Sequence, residues 1–399
     1  MKKRFSITVL IAAMLISALI AVLITFGATY NFVRGQLDSR TGIDDMEMLK
    51  AVDSAYRNYY YGELDEAALE RAAIQGYIYG TGDNYGEYMD AERVEEFTTD
   101  NNGENVGIGV SVVFNDDVGL LEIVNVIPDS PAEEAGLMVG DLISVIGGVD
   151  AAGMTYTEAL SAMAGKENTE AVFSVTRGEE KIDFTIVRRK VTQQNAVGHM
   201  NVDGITAVIR LEEFDANTPS QFKSEISRLI DEGAQRFVFD VRNNPGGDLE
   251  SVVEILDFLL PEGPIIRIFA SDGEEVDRRT SDAECFEYPM AVLINENSAS
   301  AAELFASALK DYELATLVGK TSYGKGSMQT ILPLIDGSAL RITYRMYSPP
   351  FSDNYDGVGV EPHIDVDMAD DVKSISIYKL TDENDTQLKA AVDSFENDN

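Results

Sequence analysis

The chain has 399 residues, enough for about two or three domains with separate cores, and its hydrophobic (45%) and charged (25%) contents are those of globular protein. A formal net charge of −38 argues against nucleic acid as a partner and against docking on an anionic lipid surface, since both call for clustered Lys and Arg. The single cysteine, Cys285, excludes an internal disulfide framework and a cysteine-built metal site.

At the amino terminus, Lys2, Lys3 and Arg4 precede an uncharged run from Phe5 to Val33 rich in Leu, Ile, Val and Ala. A bilayer core takes roughly 20 apolar residues as a helix, so residues 1–33 read as a signal anchor, a transmembrane helix whose basic end stays in the cytoplasm. A cleaved signal peptide is the alternative, but the run is longer than such a core and no A-x-A site follows. Both readings export the remainder, either as a single-pass protein of the cell membrane with its catalytic part extracytoplasmic or as a secreted protein.

Residues 34–105 form an N-terminal helical region. Leu49, Val52, Tyr56 and Tyr59 recur at helical spacing, and Leu64, Ala68, Leu69, Ala72 and Ala73 continue the pattern to Gly76. Two readings stay open: an arm for positioning or homodimer formation, and a small subdomain packed on the core. Thr98–Asn105 is polar and reads as a linker.

Residues 106–191 alternate like strands at Gly107–Phe114, Leu120–Val126, Leu142–Ile146, Ala171–Arg177 and Lys181–Arg188. Short helices are expected at Ser130–Leu137 and Thr155–Met163. This α+β module resembles a PDZ domain in GIGV (Gly107–Val110), SPAEEAGLMVGDLISVIGG (Ser130–Gly148) and TEALSAMAG (Thr157–Gly165). The turn of Gly107, Ile108, Gly109 and Val110 would offer N–H groups to a peptide carboxylate, and the strand after it would accept the peptide as an added strand.

From 192 to 371 strands and helices alternate as in an α/β layered domain. Strands are expected at Ile205–Leu211, Phe237–Val241, Ile265–Phe269, Met290–Ile294, Thr316–Val318, Ser327–Leu332 and Ser338–Tyr344, and helices at Pro219–Glu232, Asp248–Leu260 and Ala301–Lys310. Residues 372–399 form a polar tail with a short helix.

The chemistry concentrates between Asn295 and Gln329. His199 and His363 are the only histidines, neither lies in a catalytic motif, and no G-x-S-x-G elbow is present. Ser300-Ala-Ala-Glu303 reads as a capping box, yet the same geometry sets a serine beside the Ala301 N–H at the positive end of a helix. Ser298 is a rival nucleophile.

Lys325, between Gly324 and Gly326, is either a solvated loop residue or a general base. A base must be neutral, which means lowering a lysine pKa from about 10.4 to roughly 7–8 by burial. Gln329, four positions on, would share a strand face with it. Gly319-Lys320-Thr321 imitates the tail of a phosphate loop, but Leu314 stands where its first glycine belongs. In Asp240–Val253 a strand ends in N-P-G-G before a helix, so Gly246 or Gly247 would offer an unhindered N–H. Ser352–His363 holds Asn354, Asp356 and Gly357 in calcium-loop register but lacks the acidic ends, so no metal and no cofactor are expected.

Together these features resemble the carboxyl-terminal processing proteases, S41 serine peptidases with a Ser-Lys dyad and a PDZ domain. The marks are GDNYGEYM (Gly82–Met89), the PDZ unit, DVRNNPGG, NENSASAAE, GKTSYGKGSMQ and GVGVEPHIDV, from about Asp44 to Asp367. The resemblance implies an α/β fold: a ClpP/crotonase-like protease core with an inserted α+β PDZ domain, an N-terminal helical arm and a transmembrane helix.

It also implies Ser300 as nucleophile, Lys325 as base, Gln329 orienting Lys325, and the N–H groups of Gly246 and Ala301 as oxyanion hole. Asn84 and Gly86 depart from the family's proline and serine, and His363 from its aspartate. The activity implied is an extracytoplasmic serine endopeptidase that captures unfolded or loosely folded proteins by apolar C-termini and cuts them through an acyl-enzyme. The rivals are a silent PDZ adaptor, against which both Ser300 and Lys325 are retained, and a hydrolase of small esters or lipids, which would not need the peptide-capturing module.

Overall fold

In the sequence FVF, at Phe237–Phe239, side chains alternate between two apolar layers, as a strand buried on both faces requires. Phe237 and Phe239 join the larger core cluster, while Val238 joins a smaller one on the opposite face. The strand belongs to a six-stranded sheet ordered Ala196–Met200, Thr206–Leu211, Arg236–Asp240, Met290–Ile294, Ala315–Gly319, Ile364–Asp365. The first pair is antiparallel and the rest are parallel.

Helices Thr218–Asp231, Leu249–Leu259 and Ala301–Asp311 bury Phe222, Ile255 and Phe305 on the first face. The last helix, Thr386–Asn397, covers the other with Leu388 and Ala391. A second sheet, ordered Glu87–Met89, Ala339–Ser348, Gly263–Phe269, Glu275–Ser281, also pairs Ser327–Pro333 with Ala339–Ser348.

This computed structural model describes residues 46–101, 104–115, 118–370, 372–373 and 375–397. The expected membrane-spanning stretch, 1–33, lies outside them. Among the described residues no helix is long and apolar enough to cross a membrane.

The chain divides into two compact units, Met1–Ile74 and Gln75–Asn399. In the first, the helical pattern is carried by more than one helix: Glu47–Tyr59 is followed by a turn before a second helix, Glu66–Thr81, begins. Arg57 clamps that break, bonding Asp53 (2.9 Å) and Glu66 (2.6 Å).

In the second unit, Thr98–Asn105 is not a linker. Helix Ala91–Asn101 runs through its first half, and strand Glu104–Gly107 takes up its end.

The PDZ-like sheet runs Val110–Asn115, Leu120–Val126, Leu142–Ile146, Glu170–Arg177, Glu180–Val187, leaving Val110–Asn115 at an edge. The strand expected at Gly107–Phe114 is split at Ile108-Gly109. Gly109 has φ +88°, and a Cβ there would sit 2.3 Å from Ser130 Cβ, so only glycine fits. Ser130 in turn caps the short helix Pro131–Ala135, as its place before proline predicts.

Candidate active site

Three loops converge because they leave the same end of the central sheet. Arg236–Asp240, Met290–Ile294 and Ala315–Gly319 are neighbouring parallel strands. Their carboxyl ends release the turn with Pro245–Gly247, the turn from Asn295 to Ser300, and the segment from Lys320 to Gly326. Open α/β sheets bind ligands at this end.

Within the second turn, the two serines are in different situations. Ser298 is fully buried; its hydroxyl donates to the Val241 carbonyl (2.7 Å) and accepts from the Asn295 N–H (3.0 Å). It fastens the turn. Ser300 has φ 56° and ψ −115°, a strained setting for a residue with a Cβ. Its N–H donates to Glu303 Oε2 (2.8 Å), and the preceding Ala299 N–H to the Asn244 carbonyl (3.0 Å). Ala301 opens the helix, so its N–H is among the donors that have no partner within the helix.

Ser300, Ala301, Lys325 and Gln329 line one cavity of about 440 Å³, with Gly247, Leu304 and Arg341 among its other walls. Gly246 packs flat against the serine turn: a Cβ there would lie 2.8 Å from Ser300 Cβ and 2.9 Å from Ala301 N. Its N–H, expected to face an oxyanion, donates here to Asn244 Oδ1 (2.8 Å). Asn244 closes a turn on its own backbone, a habit of asparagine, and Gly247 is the glycine that lines the cavity.

Lys325 is half-buried. Desolvation, and then the charge of Arg341, lower its pKa below the ordinary lysine value against the opposing pull of Glu303 and Asp356. Its Nζ lies 4.8 Å from the centroid of the Tyr85 ring, a cation–π contact.

The Gln329 amide donates to the hydroxyls of Ser327 and Thr343 (3.2 Å each), not to Lys325. The spacing argument assumed a regular strand from 325 to 329. The strand instead starts at Ser327 and shifts register between Met328 and Gln329.

Glu303, fully buried, was legible only as a helix cap. It also accepts from the Ser322 hydroxyl (2.6 Å), the Gly324 N–H (2.6 Å) and the Lys325 N–H (2.8 Å), tying the lysine segment to the serine turn. The calcium-like loop grips the same segment. Asp356 accepts the Gly326 N–H (2.9 Å), Asn354 donates to the Gly326 carbonyl (2.7 Å), and the Gly357 N–H donates to the Gly324 carbonyl (2.9 Å).

Tyr347 donates to the Lys325 carbonyl (2.8 Å) and accepts from Tyr355 (2.9 Å); burial pushes both phenols above their ordinary values. His363 is structural: its Nδ1 accepts the Leu317 N–H (2.9 Å). Among the described residues no group of three or more His, Cys, Asp or Glu gathers as a metal cluster.

A separate cavity of about 840 Å³ runs along the PDZ edge strand. Val110, Val112, Tyr156 and Leu160 form one wall, and Ile375 and Tyr378 stand on the other. In the loop that opens this groove, the Ile108 carbonyl accepts from the Ala132 N–H (2.7 Å) and the Gly109 carbonyl from the Ile127 N–H (2.9 Å). Those bonds fix the turn of Gly107–Val110 against the following helix. An ion pair between Glu122 and Lys379 joins the PDZ-like sheet to the carboxyl-terminal segment.

Comparison with known proteins bears on this arrangement directly. The family model "Peptidase family S41" matches residues 205–366, and "PDZ domain" matches 122–177. A CtpA-like serine protease of Staphylococcus aureus (strain COL) is 30% identical over 373 residues, covering 92% of this chain and 73% of that protein. Its counterpart in Staphylococcus haemolyticus (strain JCSC1435) is 29% identical, covering 94% and 83%. Among solved structures, the photosystem II D1 C-terminal processing protease superposes with a TM-score of 0.50 at 24% identity, covering 79% of this chain and 86% of that one, a likeness of fold.

The protein is a serine-type peptidase with a PDZ domain. It belongs to peptidase family S41, among the CtpA-like carboxyl-terminal processing proteases.

Proposed function

We propose that this peptidase is an extracytoplasmic endopeptidase working through a Ser300–Lys325 dyad. Neutral Lys325 takes the proton of the Ser300 hydroxyl as its oxygen attacks a backbone carbonyl; the same proton then passes to the leaving amine. Water resolves the resulting acyl-enzyme, with Lys325 again as base. The Ala301 N–H and the Gly246–Gly247 turn receive the developing oxyanion.

The observation that carries this reading is the single cavity lined by Ser300, Ala301, Lys325 and Gln329, in which burial disfavours a charged lysine. A full oxyanion hole requires Gly246 to exchange its bond to Asn244.

The edge strand and the Gly107–Val110 loop support capture of an apolar carboxyl terminus as an added strand. Extracytoplasmic action follows from the apolar run of residues 5–33 and its basic flank. Helix Glu47–Tyr59 exposes Met48, Leu49, Val52, Tyr56 and Tyr59, which suits a homodimer formed through the N-terminal helices.

Residues 34–399 tested on an unfolded protein ending in apolar residues, against the same protein ending in lysines, would probe tail capture. A KM at least tenfold lower for the apolar tail is expected; equal KM values would remove the PDZ unit from substrate selection.

A further inference from the structure

The segment Asp83–Glu87 is distant in sequence from every residue in the proposed chemistry, yet its Tyr85 touches Lys325, and its Asp83, Tyr85 and Glu87 bond Thr343 and Arg341. Asp83 Oδ1 accepts from the Thr343 hydroxyl (2.8 Å) and the Tyr85 N–H (3.1 Å), and Oδ2 accepts from the Thr343 N–H (2.8 Å). The Thr343 hydroxyl is the group that receives the Gln329 amide (3.2 Å).

Two residues beyond Asp83, Tyr85 makes the segment's next contacts. The Tyr85 ring carries the Lys325 ammonium, and the Tyr85 carbonyl accepts from Arg341 Nε (3.2 Å). Arg341 also pairs with Glu87 (2.9 Å). A ring on the lysine, and a guanidinium and an amide that line the same cavity, are thus all held through one short stretch of chain.

The charge state of Asp83 fits that duty. Burial works to raise its pKa, but the bonds from Thr343 and Tyr85 prevail and hold it below the ordinary carboxylate range. It is therefore ionised, an acceptor only, at any pH where a lysine base is neutral. The groups facing Lys325 are Arg341 from the hairpin, Glu303 from the helix after Ser300, Asp356 from the following loop and the Tyr85 phenol, which itself stands beside Tyr323.

We propose that Asp83 is a positioning residue for Lys325, acting through Thr343 on Gln329 and through Tyr85 on the ammonium and on Arg341. The proposal rests on the Ser300–Lys325 reading. Without the Asp83 carboxylate the segment loosens, water reaches the amine and Arg341 is freed from its place. Both changes favour the charged lysine, so the pH at which activity rises moves upward.

The test is the pH profile of kcat for cleavage of an unstructured peptide by Asp83→Asn, Thr343→Val and Thr343→Ser in the full chain, with thermal unfolding measured alongside. For Asp83→Asn, kcat should fall about tenfold or more with KM within about twofold, and the midpoint should move up by about half a pH unit. Thr343→Val should move both quantities the same way by less, and Thr343→Ser, which keeps the hydroxyl, should restore wild-type values.

If Asp83→Asn and Thr343→Val lower only the unfolding temperature, leaving kcat and the midpoint at wild-type values, Asp83 is structural and the proposal is overturned. Failure of the dyad itself looks different, because Ser300→Ala or Lys325→Ala would then retain activity.

Discussion

The carboxylate of Glu303 accepts the backbone N–H of Lys325 at 2.8 Å through the same oxygen, Oε2, that accepts the N–H of Ser300 at 2.8 Å. One buried side chain therefore fixes the separation of the two residues on which the proposed chemistry depends. Replacing an oxygen by an amide NH₂ in Glu303→Gln sets a donor against donors that have no water to turn to. Stability should fall by about 3 kcal/mol, seen as a lower denaturation midpoint, and kcat by about a hundredfold even where the protein remains folded.

Ser298→Ala separates the rival serines. Its hydroxyl holds the Val241 carbonyl and the Asn295 N–H, so its loss should destabilise the protein by about 1–2 kcal/mol. Activity at a temperature where the variant is folded should stay within about tenfold of wild type. Loss of all cleavage by folded Ser298→Ala would transfer the nucleophile to that residue.

Arg341→Gln tests the electrostatics around the base. Lys325 acts when neutral, so kcat rises as pH climbs through its pKa, which burial and then Arg341 hold below the ordinary value. Removing the guanidinium removes one lowering influence, and the midpoint of the kcat profile should move toward higher pH. The linked effect on folding has a definite sign. A lysine with a lowered folded-state pKa destabilises the protein while protonated, and stability returns as pH rises from that pKa toward the unfolded value. Wild-type stability should therefore gain more than that of Lys325→Met over this alkaline window, as denaturation at stepped pH would reveal.

The parallel core was largely readable in the sequence because its strands are continuous apolar runs ended by turn residues. Phe237–Val241 and Met290–Ile294 fall where the strands Arg236–Asp240 and Met290–Ile294 stand. Ser300, Ala301 and Lys325 could be singled out as candidates from a cap and a glycine-flanked lysine a few residues long, their roles only through the family resemblance, and they line one cavity.

What was hidden depends on distant contacts or on irregular backbone. The Gln329 amide is turned by a register shift, the Gly246 N–H by the side chain of Asn244, and Gly109 breaks a strand that alternation alone would continue. Glu303 carried a visible cap signal, but its bonds to Ser322, Gly324 and Lys325 come from a segment that only folding brings near. The strand Glu275–Ser281, mostly exposed and charged, lacked any apolar pattern to mark it.

Gly109→Ala should uncouple tail capture from cleavage. At φ +88° with Ser130 Cβ 2.3 Å away, a methyl group must displace the loop that opens the groove. Affinity for an apolar carboxyl-terminal peptide should drop about tenfold or more by calorimetry, while Ser300 remains reactive toward a small fluorophosphonate. Unchanged tail affinity would move the binding loop elsewhere.

The most direct measurement is cleavage of an unstructured, apolar-tailed protein by residues 34–399, by Ser300→Ala and by Lys325→Ala, followed from pH 6 to 9. The expected result is cleavage by the unmodified protein alone, rising with pH as Lys325 loses its proton. Persistent cleavage by folded Ser300→Ala, or a pH-independent rate unaffected by Lys325→Ala, would contradict the dyad.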